Sequence, residues 1–267
     1  QVILAHAYQE IFAHFDVKIA QVLLTPDDTE SRRRYLNARN TLETLLSLEA
    51  IPVINENDTV ATQEIRYGDN DRLAARVAEM VSADVLVLLS DVNGLYSADP
   101  GASPDADFIP EVTAITNEIA AMAGEARTPF GSGGMATKVA AARICMSAGC
   151  ATVIATGQEP QPLQRIEQGE ICTWFLPAST PLAARKQWIA GTLTPAGTLS
   201  VDPGAEKALL LGKSLLSVGV VGVAGDFERG DAVTIRSASG RNLAHGLVAY
   251  DSDEATALVG RQSDEFE

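Results

Sequence analysis

The chain has 267 residues, of which 46% are hydrophobic and 21% charged, and its formal net charge at pH 7 is −15. This acidic balance argues against broad binding to a nucleic-acid backbone, which needs clustered Lys and Arg. No apolar run approaches the roughly 18 residues of a membrane span, and the three cysteines form no C-x-x-C pair. We therefore expect a globular, cytoplasmic protein of one large and one smaller domain that acts on a small molecule.

The first fifty residues predict a helix, a strand and a second helix. Apolar side chains recur at helical spacing from Leu4 to Phe12, and VKIAQVLLT (17–25) has the composition of a buried strand. The polar segment 27–49 carries leucines at helical intervals and predicts one helix. The opening helix has no capping residue before it, so we expect an upstream part of the domain to be missing from the chain.

The same alternation of strand and helix continues to about residue 155. Short Val/Ile/Leu-rich segments predict strands at IPVI (51–54), VLVLL (85–89) and ATVIA (151–155), and amphipathic segments predict helices at 72–81 and 136–149. Such a pattern is typical of an α/β fold with a mostly parallel sheet sandwiched by helices. We assign this domain to residues 1–178.

The pattern changes in residues 179–267, which predict a second, smaller β-rich barrel. This part has eight basic residues against eleven acidic ones, so it is not a basic module. Four segments bounded by Gly, Asp or Ser predict its strands: GTLSV (197–201), VVGVAG (220–225), AVTIR (232–236) and LAHGLVAY (243–250).

Two polar clusters lie where an amino acid could bind. NEND (55–58) follows the strand IPVI, and GDND (68–71) precedes the helix 72–81. Ligands of open parallel sheets bind beyond the carboxyl ends of the strands. Carboxylates can accept hydrogen bonds from an α-ammonium group, and amides can donate to a carboxylate, so the mixture suits an amino acid. Alternatively, Asp69 or Asp71 simply caps the helix.

Two further segments suit phosphate. SD (90–91) follows the strand VLVLL, and FGSGGMATK (130–138) brings adjacent glycines to the start of a helix whose first turn contains Lys138. Backbone N–H groups and an ammonium group could converge there on a phosphate oxygen. The segment lacks the G-x-x-x-x-G-K-[ST] motif, and a glycine-rich turn before a helix is commonly only a loop. The three histidines, His6, His14 and His245, lie in or near regular elements and none lies beside the polar loops, so we expect them to be structural or solvated and the chemistry to use no histidine.

Taken together, these strings resemble the glutamate 5-kinases of the amino-acid kinase family. The resemblance covers essentially the whole chain and depends on IPVINENDTV, GDND, LLSDVNGLYSADP, GSGGMATK and ERGDAVTIRSASGRNLAHGLVAY. It implies an amino-acid kinase domain followed by a PUA domain. It also implies transfer of the γ-phosphoryl group of ATP to the side-chain carboxylate of L-glutamate, as the first step of proline biosynthesis. Inhibition by proline and assembly as a homo-oligomer, a dimer or tetramer, are further implications.

The resemblance also assigns roles to residues. Asp58 and Asn70, with Asn55 and Asn57 beside them, are expected to bind glutamate. Lys138 is expected to stabilise the transferring phosphoryl group, and Asp71 to organise the catalytic site. Mg²⁺ is expected with ATP, held mainly by phosphate oxygens and water and not by a metal site of the protein. The expected ATP-binding residues are Ser90, Asp91, Ser132, Gly133, Gly134, Met135, Ala136, Thr137 and Lys138, although the family often has Thr in place of Ser90 and Ser132.

The resemblance leaves two alternatives and one expectation about the ends of the chain. Another amino-acid kinase could use a different acceptor, such as aspartate or N-acetylglutamate. A PUA protein could instead bind RNA, although the acidic balance of the second domain argues against this. Family members begin with a strand and a glycine-rich loop that this chain lacks, and we expect its PUA domain to stop before the last strand. We therefore expect no kinase activity from the 267-residue chain alone.

Overall fold

The computed structural model describes residues 2–25, 27–57, 70–103, 105–124, 134–184 and 195–261. The chain divides into two compact units, residues 1–184 and 185–267. The sequence-based division after residue 178 lies a few residues earlier. Each unit contains its own sheet and its own buried core.

The first unit alternates helices and strands in the order that the sequence predicts. The predicted helix 27–49 is broken at Ser31 into a short helix and a long one. The helices are α1 (Val2–Ala13), α2 (Asp27–Glu30), α3 (Arg32–Ser47), α4 (Asn70–Met80), α5 (Asn117–Met122), α6 (Met135–Ser147) and α7 (Pro162–Glu167). The strands are β1 (Lys18–Leu24), β2 (Ala50–Glu56), β3 (Val85–Ser90), β4 (Leu95–Tyr96), β5 (Phe108–Ile109), β6 (Glu111–Val112), β7 (Ala151–Thr156) and β8 (Thr173–Phe175).

Within the described residues the strands of this unit form separate sheets. β1 and β2 pair in parallel, β4 and β5 form a two-stranded antiparallel sheet, and the main sheet has the order β3-β7-β8-β6. The β3–β7 and β6–β8 pairs are parallel, whereas β7 and β8 are antiparallel, so the main sheet is mixed. Strands of two or three residues show no readable periodicity, and the sequence therefore did not predict β4, β5, β6 and β8.

The core of the first unit lies against the main sheet. Phe175, Ile154 and Leu95 are fully buried there, and α4 and α6 contribute small side chains such as Ala75 and Ala141. The expectation that segment 17–25 is a buried strand is wrong, since only Leu24 of β1 is buried. β1 pairs only with β2 among the described residues, and a two-stranded sheet covers little of its own surface.

A tight turn connects α6 to β7. Gly149 adopts a left-handed φ of 77°, its N–H donates to the carbonyl of Met146 at 3.1 Å, and the N–H of Cys150 donates to the carbonyl of Cys145 at 2.9 Å. These two bonds define a Schellman motif, which ends the helix and reverses the chain. A Cβ at Gly149 would lie 2.5 Å from the backbone carbonyl of Thr180. This position therefore requires glycine both for its left-handed φ and for the close approach of Thr180.

Helix length places the start of α6 at the carboxyl edge of the main sheet. α6 has 13 residues and β7 has 6, so each spans about 20 Å. Because α6 runs back along the sheet before it turns into β7, its first turn lies level with the end of that strand. α4 precedes β3 in the same way and also starts at this edge.

The second unit is a four-stranded mixed sheet with the order β10-β9-β11-β12. The four predicted strands are confirmed to within a few residues, while the two helices were not predicted. Asp202 and Asp251 cap these helices by accepting hydrogen bonds from Ala205 and Glu254 at 2.7 and 2.8 Å. The elements are β9 (Gly197–Val201), α8 (Pro203–Leu210), β10 (Val220–Gly225), β11 (Ala232–Ser237), β12 (Asn242–Leu247) and α9 (Ser252–Leu258).

Candidate active site

Polar groups gather where β3 and β7 end. Ser90 is the last residue of β3 and is paired with Thr156, the last residue of β7. The Ser90 hydroxyl donates to Oδ1 of Asp91 at 3.0 Å, and the N–H of Gly157 donates to the Ser90 carbonyl at 2.8 Å. Because Asp91 is exposed, this edge offers a carboxylate and a hydroxyl to a ligand.

The first turn of α6 supplies positive charge at the same edge. Gly134 precedes the helix in an extended conformation, and Lys138 lies in the first turn with only 9% of its surface exposed. The N–H groups of the first helical turn lack acceptors within the helix, so they favour an anion. Met135 and Ala136 lie in this turn, as the predicted nucleotide-binding segment requires.

Asp71 connects the start of α4 to the start of α6. Its Oδ2 accepts a hydrogen bond from Nζ of Lys138 at 3.1 Å and lies 2.8 Å from Oγ1 of Thr137. The Lys138 and Asp71 side chains are 11% and 17% exposed, so this ion pair is largely shielded from water. These partners are 66 and 67 residues away in sequence, so Asp71 links the starts of two helices that are distant in the chain.

The amide residues predicted to bind substrate lie near the end of β2 and the start of α4. Asn55 belongs to β2 itself, and its Oδ1 accepts from the N–H of Glu56 at 2.9 Å. The N–H of Asn57 donates to the Leu24 carbonyl at 2.8 Å and so continues the pairing of β2 with β1. NEND is therefore partly strand, whereas the sequence placed it after the strand.

Asn55 and Asn70 both line one cleft of about 530 Å³ in the first unit. Its other walls are mostly apolar residues of α1, β2, α4 and β3. Asn70 is the first residue of α4 and directly precedes Asp71. The cleft therefore reaches the residue next to the Lys138–Asp71 pair.

Some of the predicted site residues are not covered by the structure. Asp58, Ser132 and Gly133 lie outside the described residues. The structure brings together Asp71, Thr137 and Lys138 in one cluster and, separately, Ser90 with Asp91. Thr156, which pairs with Ser90 at the end of β7, was not among the predicted site residues.

The structure also describes the three cysteines and His14. The thiols of Cys145, Cys150 and Cys172 are free and buried. Contact with Cys150 lowers the pKa of Cys145, while the same contact and burial raise the pKa of Cys150. His14 bonds the carbonyl of Glu10 one turn away in α1. Within the described ranges no three His, Cys, Asp or Glu residues form a group suited to a metal ion.

Among the helices of the described ranges, none combines the length and the apolar character that crossing a membrane requires.

Comparison with known sequences defines the class of protein. Residues 1–156, more than half of the chain, match the amino acid kinase family. Residues 197–267 match the PUA domain. The fold described above, an α/β unit with a phosphate-suited helix start followed by a small β-rich unit, agrees with this pair of domains.

Curated relatives narrow the class to one family. Over 267 residues the chain is 61% identical to the glutamate 5-kinase of Paramagnetospirillum magneticum, covering 100% of this chain and 72% of that protein. It is also 61% identical to the glutamate 5-kinase of Rhodospirillum rubrum, with coverage of 100% and 71%. The glutamate 5-kinase of Agrobacterium fabrum is 55% identical, with coverage of 100% and 69%. The chain therefore belongs to the glutamate 5-kinase family.

Proposed function

We propose that this protein transfers the γ-phosphoryl group of ATP to the side-chain carboxylate of L-glutamate, forming L-glutamyl 5-phosphate for proline biosynthesis. The observation that carries the proposal is the 61% identity along the whole chain with relatives of that name. Lys138 at the start of α6 supports it, because its ammonium group, which is held by Asp71, is a positive group of the kind that phosphoryl transfer needs.

The acceptor carboxylate itself is the nucleophile in this proposal. A glutamate side chain has a pKa of about 4.3 and is ionised at neutral pH, so no general base has to remove a proton. The protein has to hold the acceptor in line and offset the repulsion between two anions. Asn70, with Asn55 and Asn57 and with Asp58 outside the described residues, is our candidate set for the acceptor.

Lys138 would act on the group that is transferred. Its ammonium group stabilises negative charge on the phosphoryl oxygens, and the first-turn N–H groups of α6 add to that field. Asp71 restrains the flexible Lys138 side chain by a contact of 3.1 Å. We place the nucleotide along Ser90 and Asp91 and over the segment from Ser132 to Lys138.

Mg²⁺ is the cofactor that we propose, and when bound with ATP it would neutralise charge on the phosphates. The carboxylate oxygens of Asp71 and Asp91 are hard donors of the kind that Mg²⁺ accepts. The described residues offer no group of three such ligands, so phosphate oxygens and water would complete the coordination.

Further parts of the proposal concern regulation and setting. We propose that proline competes with glutamate, since both present an α-amino and an α-carboxylate group, and that the chain assembles as a dimer or tetramer through its kinase domain. The free, buried cysteines fit a reducing cytoplasm.

The test is an acceptor panel with trapping of the product. Because the 267-residue chain alone is expected to be inactive, this assay and the kinetic assays below use a full-length version of the protein. It is incubated with ATP, Mg²⁺ and L-glutamate, L-aspartate or N-acetyl-L-glutamate, and hydroxylamine converts any acyl phosphate to a hydroxamate. We expect hydroxamate with L-glutamate and its loss in Lys138→Met. Product from aspartate or N-acetylglutamate alone would replace the proposed acceptor, and salt-sensitive binding of labelled RNA without acyl phosphate would replace the enzyme class.

A further inference from the structure

Thr137 holds an unusual number of partners for one hydroxyl group. Its Oγ1 accepts a hydrogen bond from the N–H of Gly134 at 3.1 Å. The same atom lies 2.8 Å from Oδ2 of Asp71 and 2.8 Å from the carbonyl oxygen of Gly134. A hydroxyl group has a single hydrogen. The Thr137 hydroxyl can therefore donate a full hydrogen bond either to Asp71 or to the Gly134 carbonyl, but not to both at once.

The charged oxygen is the better acceptor. A hydrogen bond to a carboxylate is roughly twice as strong as one between neutral groups. The Gly134 carbonyl also accepts the first helical bond, from the N–H of Lys138 at 3.3 Å, so it does not depend on the hydroxyl. The Thr137 hydroxyl therefore donates its hydrogen bond to Asp71.

We propose that Thr137 is a positioning residue that holds the Asp71 carboxylate for Lys138, and that its hydroxyl does not bind the nucleotide. Phosphate oxygens are acceptors, and the only hydrogen that the Thr137 hydroxyl can donate is already given to Asp71. This inference rests on the proposed function for its consequence in catalysis, but its structural part stands on the contacts alone.

The arrangement joins two parts of the site. Thr137 and Lys138 are consecutive residues of α6, and both bond the same oxygen of Asp71. Asp71 in turn directly follows Asn70, which lines the cleft of the proposed acceptor. Without the hydroxyl, Asp71 keeps only the flexible ammonium group of Lys138 among these partners. The carboxylate is then held less firmly, and it positions the Lys138 ammonium group less precisely against the phosphoryl group.

Threonine suits this role better than serine does. Its branched Cβ restricts χ1, and the N–H of Gly134 fixes the oxygen from the other side. Thr137→Ser keeps the hydroxyl but loses the methyl group, whereas Thr137→Val keeps the shape and loses the hydroxyl. The pair of variants therefore separates the hydrogen bond from the packing.

The first experiment is steady-state kinetics of Thr137→Val and Thr137→Ser with ATP and glutamate. We expect kcat to fall about 10-fold or more in the valine variant, in line with losing a hydrogen bond to a charged group, with KM for ATP within about 3-fold of wild type. The serine variant should recover most of the rate. Thr41→Val is the control, because the Thr41 hydroxyl bonds the Asn37 carbonyl of its own helix and, among the described residues, no group of the candidate site.

A double variant tests whether Thr137 acts through the ion pair. In a Lys138→Met background, Thr137→Val should cost less than about 2-fold further, since residues that act as a unit are non-additive. If Thr137→Val had a normal kcat and a KM for ATP raised by more than about 3-fold, the hydroxyl would contact the nucleotide. That result would overturn the proposal.

The second experiment needs no substrate. Urea midpoints are measured for Thr137→Val, Asp71→Ala and the double variant, with Asp71→Asn as a substitute if the alanine variant does not fold. We expect the double variant to lose clearly less stability than the sum of the two single losses. The bond from the Gly134 N–H is lost whenever Thr137 is replaced, so its contribution cancels in the cycle. Fully additive losses would refute the contact. If the wild-type protein made no hydroxamate from glutamate, the proposed function would fail while this cycle still decided the Thr137–Asp71 coupling.

Discussion

Replacement of Lys138 by methionine tests the centre of the proposed chemistry. Methionine keeps most of the length and apolar volume of the lysine stem but removes the ammonium group, which lies 3.1 Å from Oδ2 of Asp71. The Lys138 side chain is only 11% exposed, so water cannot easily replace the lost charge. Thr137 remains within 2.8 Å of Asp71, and the carboxylate therefore keeps one of these two donors.

We expect kcat to fall about 10²- to 10³-fold, which corresponds to about 2.7–4 kcal/mol and is typical of losing one preorganised electrostatic contact. KM for glutamate should change much less, because the charge acts on the transferring group and not on the acceptor. The loss of stability should stay below the roughly 3–5 kcal/mol of breaking a fully buried ion pair, since both side chains retain some exposure.

The assay is the initial rate of hydroxamate formation over a series of glutamate and ATP concentrations. Circular dichroism and thermal unfolding establish that the variant is folded at the assay temperature. Lys213→Met serves as the matched control, because Lys213 is exposed and belongs to the second unit. A kcat within about 3-fold of wild type would refute the reasoning and remove Lys138 from the mechanism.

Three further predictions concern substrate binding, the fold and the thiols. Asn70→Ala should mainly raise KM for glutamate and weaken proline inhibition in parallel; a collapse of ATP affinity with glutamate binding intact would reverse the assignment of this residue. Gly149→Ala should lower the unfolding free energy, measured in urea, by about 2–5 kcal/mol, because it adds left-handed backbone strain and a clash with Thr180. Gly169→Ala is the control: Gly169 has a φ of 81° but open space around it, so the loss should be only about 1–2 kcal/mol. Burial raises the pKa of the Cys172 thiol, so at neutral pH iodoacetamide should label it slowly in the folded protein and readily in urea; equal rates would contradict its burial.

Much of the kinase unit could be predicted because its long elements carry a clear local signal. The predicted strands at 51–54, 85–89 and 151–155 and the helices at 72–81 and 136–149 are confirmed to within a few residues. The errors have local causes as well. The segment 27–49 breaks at Ser31, and the strand β2 continues through Asn55 and Glu56, because polar residues at an element's end give no periodic signal.

The sequence proposes the candidate site as a set of segments but not as a set of contacts. The rule that ligands bind beyond the ends of parallel strands pointed to Ser90, Asp91 and the start of α6. The helix start at Asn70 and Asp71 followed from the same reasoning. No sequence pattern could show that Asp71 takes both Thr137 and Lys138 on one oxygen, and the expected capping role remained an equal alternative.

The amino-acid sequence alone thus determined the order of the elements, the polar segments of the site and the family, since each depends on residues that are neighbours in the chain. Only the tertiary structure decided that β7 and β8 are antiparallel and that α4 and α6 meet through Asp71. The physical reason is distance along the chain. Periodicity and turn chemistry record hydrogen bonds between residues a few positions apart, whereas a contact across 67 residues depends on how whole helices pack on the sheet.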